Sequence, residues 1–201
     1  MFHPRRAPPC RHLPRARRYR GVVTIVAAAD GSALGNPGPA GWAWYVDDTV
    51  WAAGGWPHAT NNQGELMAVL HLFQSTAHVD DDLHVLCDSQ YVINSVTKWM
   101  PGWKKKGWRK TDGKPVMNLP LLQAIDSAIA GRQYRFEWVK GHVGHEMNEA
   151  ADARARAAAD AFARGGAVPV GPGFPGAPRV DTADWANERI IRSAITHESL
   201  F

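Results

Sequence analysis

A chain of 201 residues, 45 % of them hydrophobic, is long enough for one well-buried domain with appendages. None of its apolar runs approaches the roughly 18 residues that a membrane span needs. The net charge of +4 says little about partners, because seven of the 23 basic residues are arginines within the first twenty positions, and beyond Arg20 16 basic residues face 19 acidic ones.

The first twenty residues combine four prolines and seven arginines with almost no large aliphatic side chains, so residues 1 to 20 are expected to form a disordered basic tail. They contain no apolar stretch of a secretory signal, and the lack of serine together with the prolines argues against an organellar transit peptide. From Gly21 the texture changes, and a single domain is expected over residues 21 to 163. VVTIVAAAD reads as a buried strand ending at Asp30, and GWAWYV and VWAAGGW as two more, with Asp47 and Asp48 at the turn between them. Leu66, Val69, Leu70 and Phe73 recur at helical spacing within residues 61 to 77, with Asn61 or Asn62 as the N-cap. LHVLC (83 to 87) is a short buried strand, and Val92, Val96 and Trp99 mark a helix that Pro101-Gly102 is expected to break. Leu121, Leu122, Ile125 and Ile129 define a helix over 118 to 130 with Gly131 beyond it, YRFEWV is an alternating strand, and an alanine-rich helix runs from about Met147 to Ala163. Residues 164 to 180, rich in glycine and proline, read as a linker, and the extension 181 to 201 allows one short amphipathic helix. Cys10 and Cys87 lie far apart and suggest neither a disulfide framework nor a thiolate metal site, which fits a reducing, cytoplasmic setting.

Two acids sit where apolar strands end. Asp30 closes VVTIVAAAD and Asp88 closes LHVLCD, each followed by small residues that permit a turn. A lone aspartate there is usually a turn former or a cap. Two of them, with Glu65 beside the apolar Leu66 on the intervening helix, are harder to explain structurally, since buried carboxylates are costly unless cations or hydrogen bonds compensate them. A pair of divalent metal ions would do so.

The segments DGSALGNPGPAGWAW (30 to 44), TNNQGELMAVL (60 to 70), CDSQYVINSVTKW (87 to 99) and WVKGHVGHEMNEAAD (138 to 152) resemble, in order and spacing, the four motif blocks of the type 1 ribonuclease H family, and of bacterial ribonuclease HI in particular. The resemblance covers about residues 21 to 163. It implies an α/β fold: a mixed five-stranded sheet, three antiparallel strands followed by two parallel ones, flanked by helices. It also implies an endonuclease that hydrolyses the RNA strand of RNA/DNA hybrids. The family's metal-binding carboxylates fall on Asp30, Glu65, Asp88 and Asp152, with Asp30 bridging both ions, and its mobile catalytic histidine falls on His142. Mg²⁺, with Mn²⁺ as a substitute, prefers such hard oxygen ligands. Two ions roughly 4 Å apart activate a water on one side of a phosphorus and stabilise the leaving 3′-oxygen on the other, giving 5′-phosphate and 3′-hydroxyl ends. His145 is expected to pack or to begin a helix.

Distinguishing RNA from DNA requires contact with 2′-hydroxyls in the wide minor groove of an A-like hybrid. By the same resemblance Asn36, Asn62 and Gln90 lie along that groove, and Thr60 with Asn61 or Asn62 lies near a DNA-strand phosphate. A helix N-cap is the structural alternative for Thr60, Asn61 and Asn62. Between residues 98 and 114, seven basic residues including Lys104, Lys105 and Lys106 face one acid, Asp112, with Trp99, Trp103 and Trp108 interleaved. Such a cluster suits phosphates and sugars, and the segment matches the family's basic protrusion, with Trp99 expected at the DNA. Two other functions share parts of this pattern: a noncatalytic hybrid-binding module, against which the intact carboxylates argue, and an integrase-like DNA nuclease, against which TNNQGELMAV and KGHVGH argue. The family implies a monomer and no membrane partner. The C-terminal extension departs from the family pattern and is a candidate docking segment for a replication protein.

Overall fold

The computed structural model describes residues 23–178. The expected tail over 1 to 20 and the terminal helix over 181 to 201 lie outside the described residues. Five strands, β1 (Thr24–Ala33), β2 (Gly38–Asp47), β3 (Val50–Ala59), β4 (Asp82–Cys87) and β5 (Tyr134–Trp138), form one sheet in the order β3-β2-β1-β4-β5. The pairs β1/β2 and β2/β3 are antiparallel, while β1/β4 and β4/β5 are parallel. The mixed five-stranded sheet implied by the resemblance is therefore present. Hairpin connections serve the antiparallel half, and helical crossovers serve the parallel half, as strand geometry requires.

The two faces of the sheet are built from different residues. On one side, helix α1 (Asn61–Ser75) packs on the sheet and helix α4 (Leu119–Ala128) packs on α1, and Phe73 and Leu122 of these helices share one buried cluster with Trp42, Trp44, Trp56 and Leu83 of the strands. On the other, helix α5 (Glu146–Arg164) lays Ala151, Ala155 and Ala158 over Ala28, Ala43 and Ala53. Side chains this small let a 19-residue helix approach the strands closely; a β-carbon on Gly41 would collide with the Ala155 carbonyl. Gly165, with φ of 66°, ends that helix in the left-handed conformation that glycine adopts without strain.

Several local expectations change. Asp30 does not end β1: Gly31, Ser32 and Ala33 still pair with Trp42, Gly41 and Ala40 of β2, so the turn comes three residues later. The cap of α1 is Thr60 rather than Asn61 or Asn62. Its hydroxyl accepts from the Gln63 N–H and the Gln63 side chain accepts from the Thr60 N–H, a reciprocal capping box contributing about 1 kcal/mol. Nor does Pro101-Gly102 end the helix after Asp88. Helix α2 (Gln90–Asn94) widens into a π-helical turn (Ser95–Trp99) in which the Met100 N–H reaches the Ser95 carbonyl, and helix α3 (Met100–Lys105) follows. Pro101 thus sits in a first turn, where its missing N–H and fixed φ are tolerated.

The stretch expected as a linker is docked on the sheet edge. The Ala53 N–H donates to the Val170 carbonyl at 3.1 Å, the Gly173 N–H to the Trp51 carbonyl at 2.9 Å, and Phe174 meets the ring of His78. Edge strand β3 offers unpaired backbone groups, and an extended Gly/Pro segment satisfies them where a side-chain-rich strand would not fit. Gly171 has φ of 76° and faces Trp51 so closely that a β-carbon would lie 2.5 Å from its carbonyl oxygen.

Candidate active site

The parallel ladder between β1 and β4 ends at the pair Ala28 and Leu86. Asp30 and Asp88 each stand two residues beyond that pair, where the strands part and a crevice opens at their carboxyl ends. Helix α1 crosses β1 there at the closest possible range: a β-carbon on Gly31 would collide with the backbone of Gly64 and Glu65. That crossing brings Glu65 over Asp30. Asp30, Glu65 and Asp88 each offer a carboxylate oxygen within 4.8 Å of the others. Asp152 on α5 lies outside that tight group yet lines the same cleft of about 270 Å³, with His142 and Arg156.

Hydrogen bonds reach the three clustered carboxylates. Asp30 Oδ1 accepts from the Gly31 N–H at 2.7 Å. Glu65 accepts from Asn61 Nδ2 at 2.9 Å and from Ser89 Oγ at 2.5 Å. Asp88 Oδ2 lies 3.5 Å from Asn148 Nδ2, and a β-carbon on Gly141 would collide with the same oxygen. These contacts do not offset confinement. Burial, reinforced first by Asp88 and then by Asp152 and Glu65, pushes Asp30 up to about 8 against the lowering effect of the Gly31 amide. Burial also pushes Glu65 up to about 7, opposed by the hydrogen bonds from Ser89 and Asn61. Grouped acids held out of water in this way favour a cation. The donor set consists of hard oxygens, which fits Mg²⁺ or Mn²⁺ and not a thiolate-seeking metal.

His142 sits in the loop between β5 and α5 with φ of 55°, largely exposed, its Nδ1 3.8 Å from Asp152 Oδ2. His145 is the N-cap residue of α5 through its backbone carbonyl, which accepts from the Glu149 N–H, and its side chain does not cap.

The remaining expected residues divide. Asn36 Oδ1 accepts from the Asn61 N–H at 3.1 Å, joining the first turn to the start of α1, and Asn62 is half-buried beside it. Asn61 turns its amide to Glu65, so it orients a cleft carboxylate, and the Thr60 hydroxyl is engaged in the cap. Gln90 is exposed at the start of α2. Trp99 is 43 % exposed and packs at 5.7 Å between ring centroids on Trp103, which with Trp108 rests on the core. Lys104 pairs with Asp126 at 2.8 Å, whereas Lys105 and Lys106 are exposed.

Three residues of the site were not anticipated as functional: Ser89, Asn148 and Arg156. Asn148 and Arg156 stand four residues before and after Asp152 on a helix, and i±4 spacing puts them on its face. That spacing was a usable signal. Ser89 carried a weaker one, since its N-cap role on α2 is the ordinary use of a serine.

The family described as RNase H matches residues 23–160. A protein named Ribonuclease H from Tropheryma whipplei (strain Twist) is 54 % identical over 150 residues, covering 75 % of this chain and 93 % of its own. Ribonuclease HI of Streptomyces coelicolor is 47 % identical over 141 residues, 67 % of this chain and 61 % of its own. Among solved structures, LC9-RNase H1, described as a type 1 RNase H with the type 2 active-site motif, is similar at a TM-score of 0.63 and 25 % identity, covering 87 % of this chain and 85 % of its own.

Proposed function

The chain belongs to the ribonuclease H family of enzymes, and on that premise we propose that it is an endonuclease hydrolysing the RNA strand of RNA/DNA hybrids at the four-carboxylate cleft, leaving 5′-phosphate and 3′-hydroxyl ends. The observation that carries the reading is the meeting of Asp30, Glu65 and Asp88 within 4.8 Å, with Asp152 across the same cleft. Asp30, Glu65, Asp88 and Asp152 would hold two Mg²⁺ ions, or Mn²⁺ in their place; these would polarise the phosphate, lower the pKa of the attacking water and stabilise the departing oxygen.

The chain's own residues supply orientation and charge. Ser89 and Asn61 fix the rotamer of Glu65, and Asn148 that of Asp88, so that ligand oxygens do not swing out of reach. Arg156, at the rim of the cleft, neutralises a substrate phosphate. His142, in an exposed loop near Asp152, serves as a proton shuttle or as a product-release residue. Asn36, Asn62 and Gln90 read 2′-hydroxyls in the minor groove, and Trp99 with Lys105 and Lys106 holds the DNA strand. Action as a cytoplasmic monomer on primers and transcript hybrids completes the reading. Among the described residues no helix is long and apolar enough to cross a membrane.

Cleavage of an end-labelled RNA/DNA hybrid beside single-stranded RNA, duplex RNA and duplex DNA tests this directly. Hybrid-only, Mg²⁺-dependent cutting is expected. Binding without cutting would support the noncatalytic module instead, and cutting of duplex DNA the integrase-like nuclease.

A further inference from the structure

A second concavity lies beside the cleft and shares only Gln90 with the residues assigned above to the hybrid. It is a pocket of about 300 Å³ lined by Gln90, Ile93, Asn94, Lys98 and Trp138. The first four lie on one stripe along α2 and the π-helical turn, and Trp138 ends β5. Trp138 is 50 % exposed, an unusual state for so large an apolar side chain, and its indole N–H donates to the Asp88 carbonyl at 3.0 Å. The pocket is therefore tied through the main chain to a cleft carboxylate. Tyr91 and Trp99 face each other at 6.4 Å, off this stripe, so the pocket is separate from the surface assigned above to the DNA strand.

Its chemistry is that of a nucleotide site. A flat indole and the Ile93 side chain make its walls, Lys98 is an exposed cation, and Gln90 and Asn94 offer amides. A base inside a duplex already has both faces stacked and cannot enter, and a sugar-phosphate backbone gains little from a mostly apolar wall. An unstacked base gains from both the indole and the isoleucine, while its phosphate meets the lysine. We propose that this pocket seats an unpaired ribonucleotide where the RNA strand leaves the hybrid, beyond the cut. The inference rests on the hybrid-cutting function proposed above. It means that the protein favours hybrids whose RNA carries a single-stranded extension over blunt ones.

The test compares the full chain on a short blunt hybrid and on the same hybrid with a three-nucleotide RNA extension at the 5′ or the 3′ end, in Mg²⁺, by KM and kcat. Extension at one of the two ends is expected to lower KM about tenfold, the usual scale of one base stacked on an aromatic ring. Trp138→Leu and Trp138→Phe both lose the bond to Asp88, so any shared change in cutting blunt hybrid reports that bond. Only Trp138→Phe keeps an aromatic face and is expected to retain most of the preference, whereas Trp138→Leu loses it. With Asp30→Asn to prevent cutting, 2-aminopurine at the first unpaired position should be quenched on binding and remain bright when Trp138→Leu is added. Equal KM for blunt and extended hybrids, or a preference and quenching that survive Trp138→Leu, would overturn the inference. Failure of the wild-type chain to cut blunt hybrid at all would instead overturn the function on which it rests.

Discussion

Replacing Asp30 by asparagine should abolish cleavage and, in the absence of divalent cations, make the protein more stable. The wild-type carboxyl is 5 % exposed and lies beside Glu65 and Asp88, so its proton is held up to about 8 in the folded chain against 3.8 when free. A carboxyl with a raised folded value favours folding fully below 3.8 and progressively loses that advantage as pH rises toward 8. Relative to pH 3, the loss at pH 7 is at most about 4 kcal/mol, at about 1.4 kcal/mol for each pH unit above the free value. Asparagine has nearly the same shape and no charge. Allowing for relaxation of the cleft, Asp30→Asn should gain about 2 to 4 kcal/mol at pH 7 to 8 and nothing at pH 3.5, a rise in Tm of roughly 5 to 15 °C for a chain of this size. Thermal melts in chelator across that pH range measure it, and added Mg²⁺ should narrow the gap by stabilising the wild type alone. A gain independent of pH, or a loss at pH 8, would refute the electrostatic account of the cleft.

Other substitutions probe other parts. Arg156→Ala should raise KM for hybrid about tenfold with a smaller change in kcat, checked by steady-state kinetics at two salt concentrations; unchanged KM would remove Arg156 from the substrate path. Buried His71, whose Nδ1 accepts from the Trp44 indole at 2.8 Å, is held down to about 4 by desolvation. Stability from keeping it neutral is whole above its free value of 6.5 and is lost as pH falls toward 4, on the order of 3 kcal/mol. Urea unfolding at pH 7, 5 and 4 should accordingly show a shallower acid slope for His71→Leu, and an identical slope would contradict this. Gly171→Ala should cost about 1 to 3 kcal/mol, read by thermal melting, because an alanine there meets both the left-handed backbone and Trp51. No effect would mean that the segment is not held on β3.

The sequence was most informative where one periodicity governed. The alanine-rich last helix is legible because burial on one face imposes a single spacing, while β1 and the helix carrying Leu66 to Phe73 are legible as apolar runs because they are buried on all sides. It was least informative where two local rules compete. Thr60, Asn61 and Asn62 are all good caps, and only the Gln63 side chain returning to the Thr60 N–H decides among them. Pro101 normally ends a helix, but here it falls in the first turn of α3, directly after the widened π turn, where a proline is tolerated. The glycines and prolines of residues 166 to 177 signal flexibility on composition alone, yet what holds them is the unpaired edge of β3 more than a hundred residues earlier in the chain. For the cleft, strand ends pointed to Asp30 and Asp88, whereas the approach of Glu65 depends on two glycines, Gly31 and Gly64, meeting across the fold. No local pattern reports such a meeting.

The most direct test of the central claim is the single-turnover rate of RNA-strand cleavage in a hybrid, in Mg²⁺, for the wild type and for Asp30→Asn, Glu65→Gln, Asp88→Asn and Asp152→Asn, each verified as folded. If the four carboxylates form one metal-binding centre, each substitution should slow cleavage by about a thousandfold or more, the equivalent of several kcal/mol of lost transition-state stabilisation. Cleavage that persists within about tenfold of wild type in Asp30→Asn, or that proceeds equally well in chelator, would contradict it.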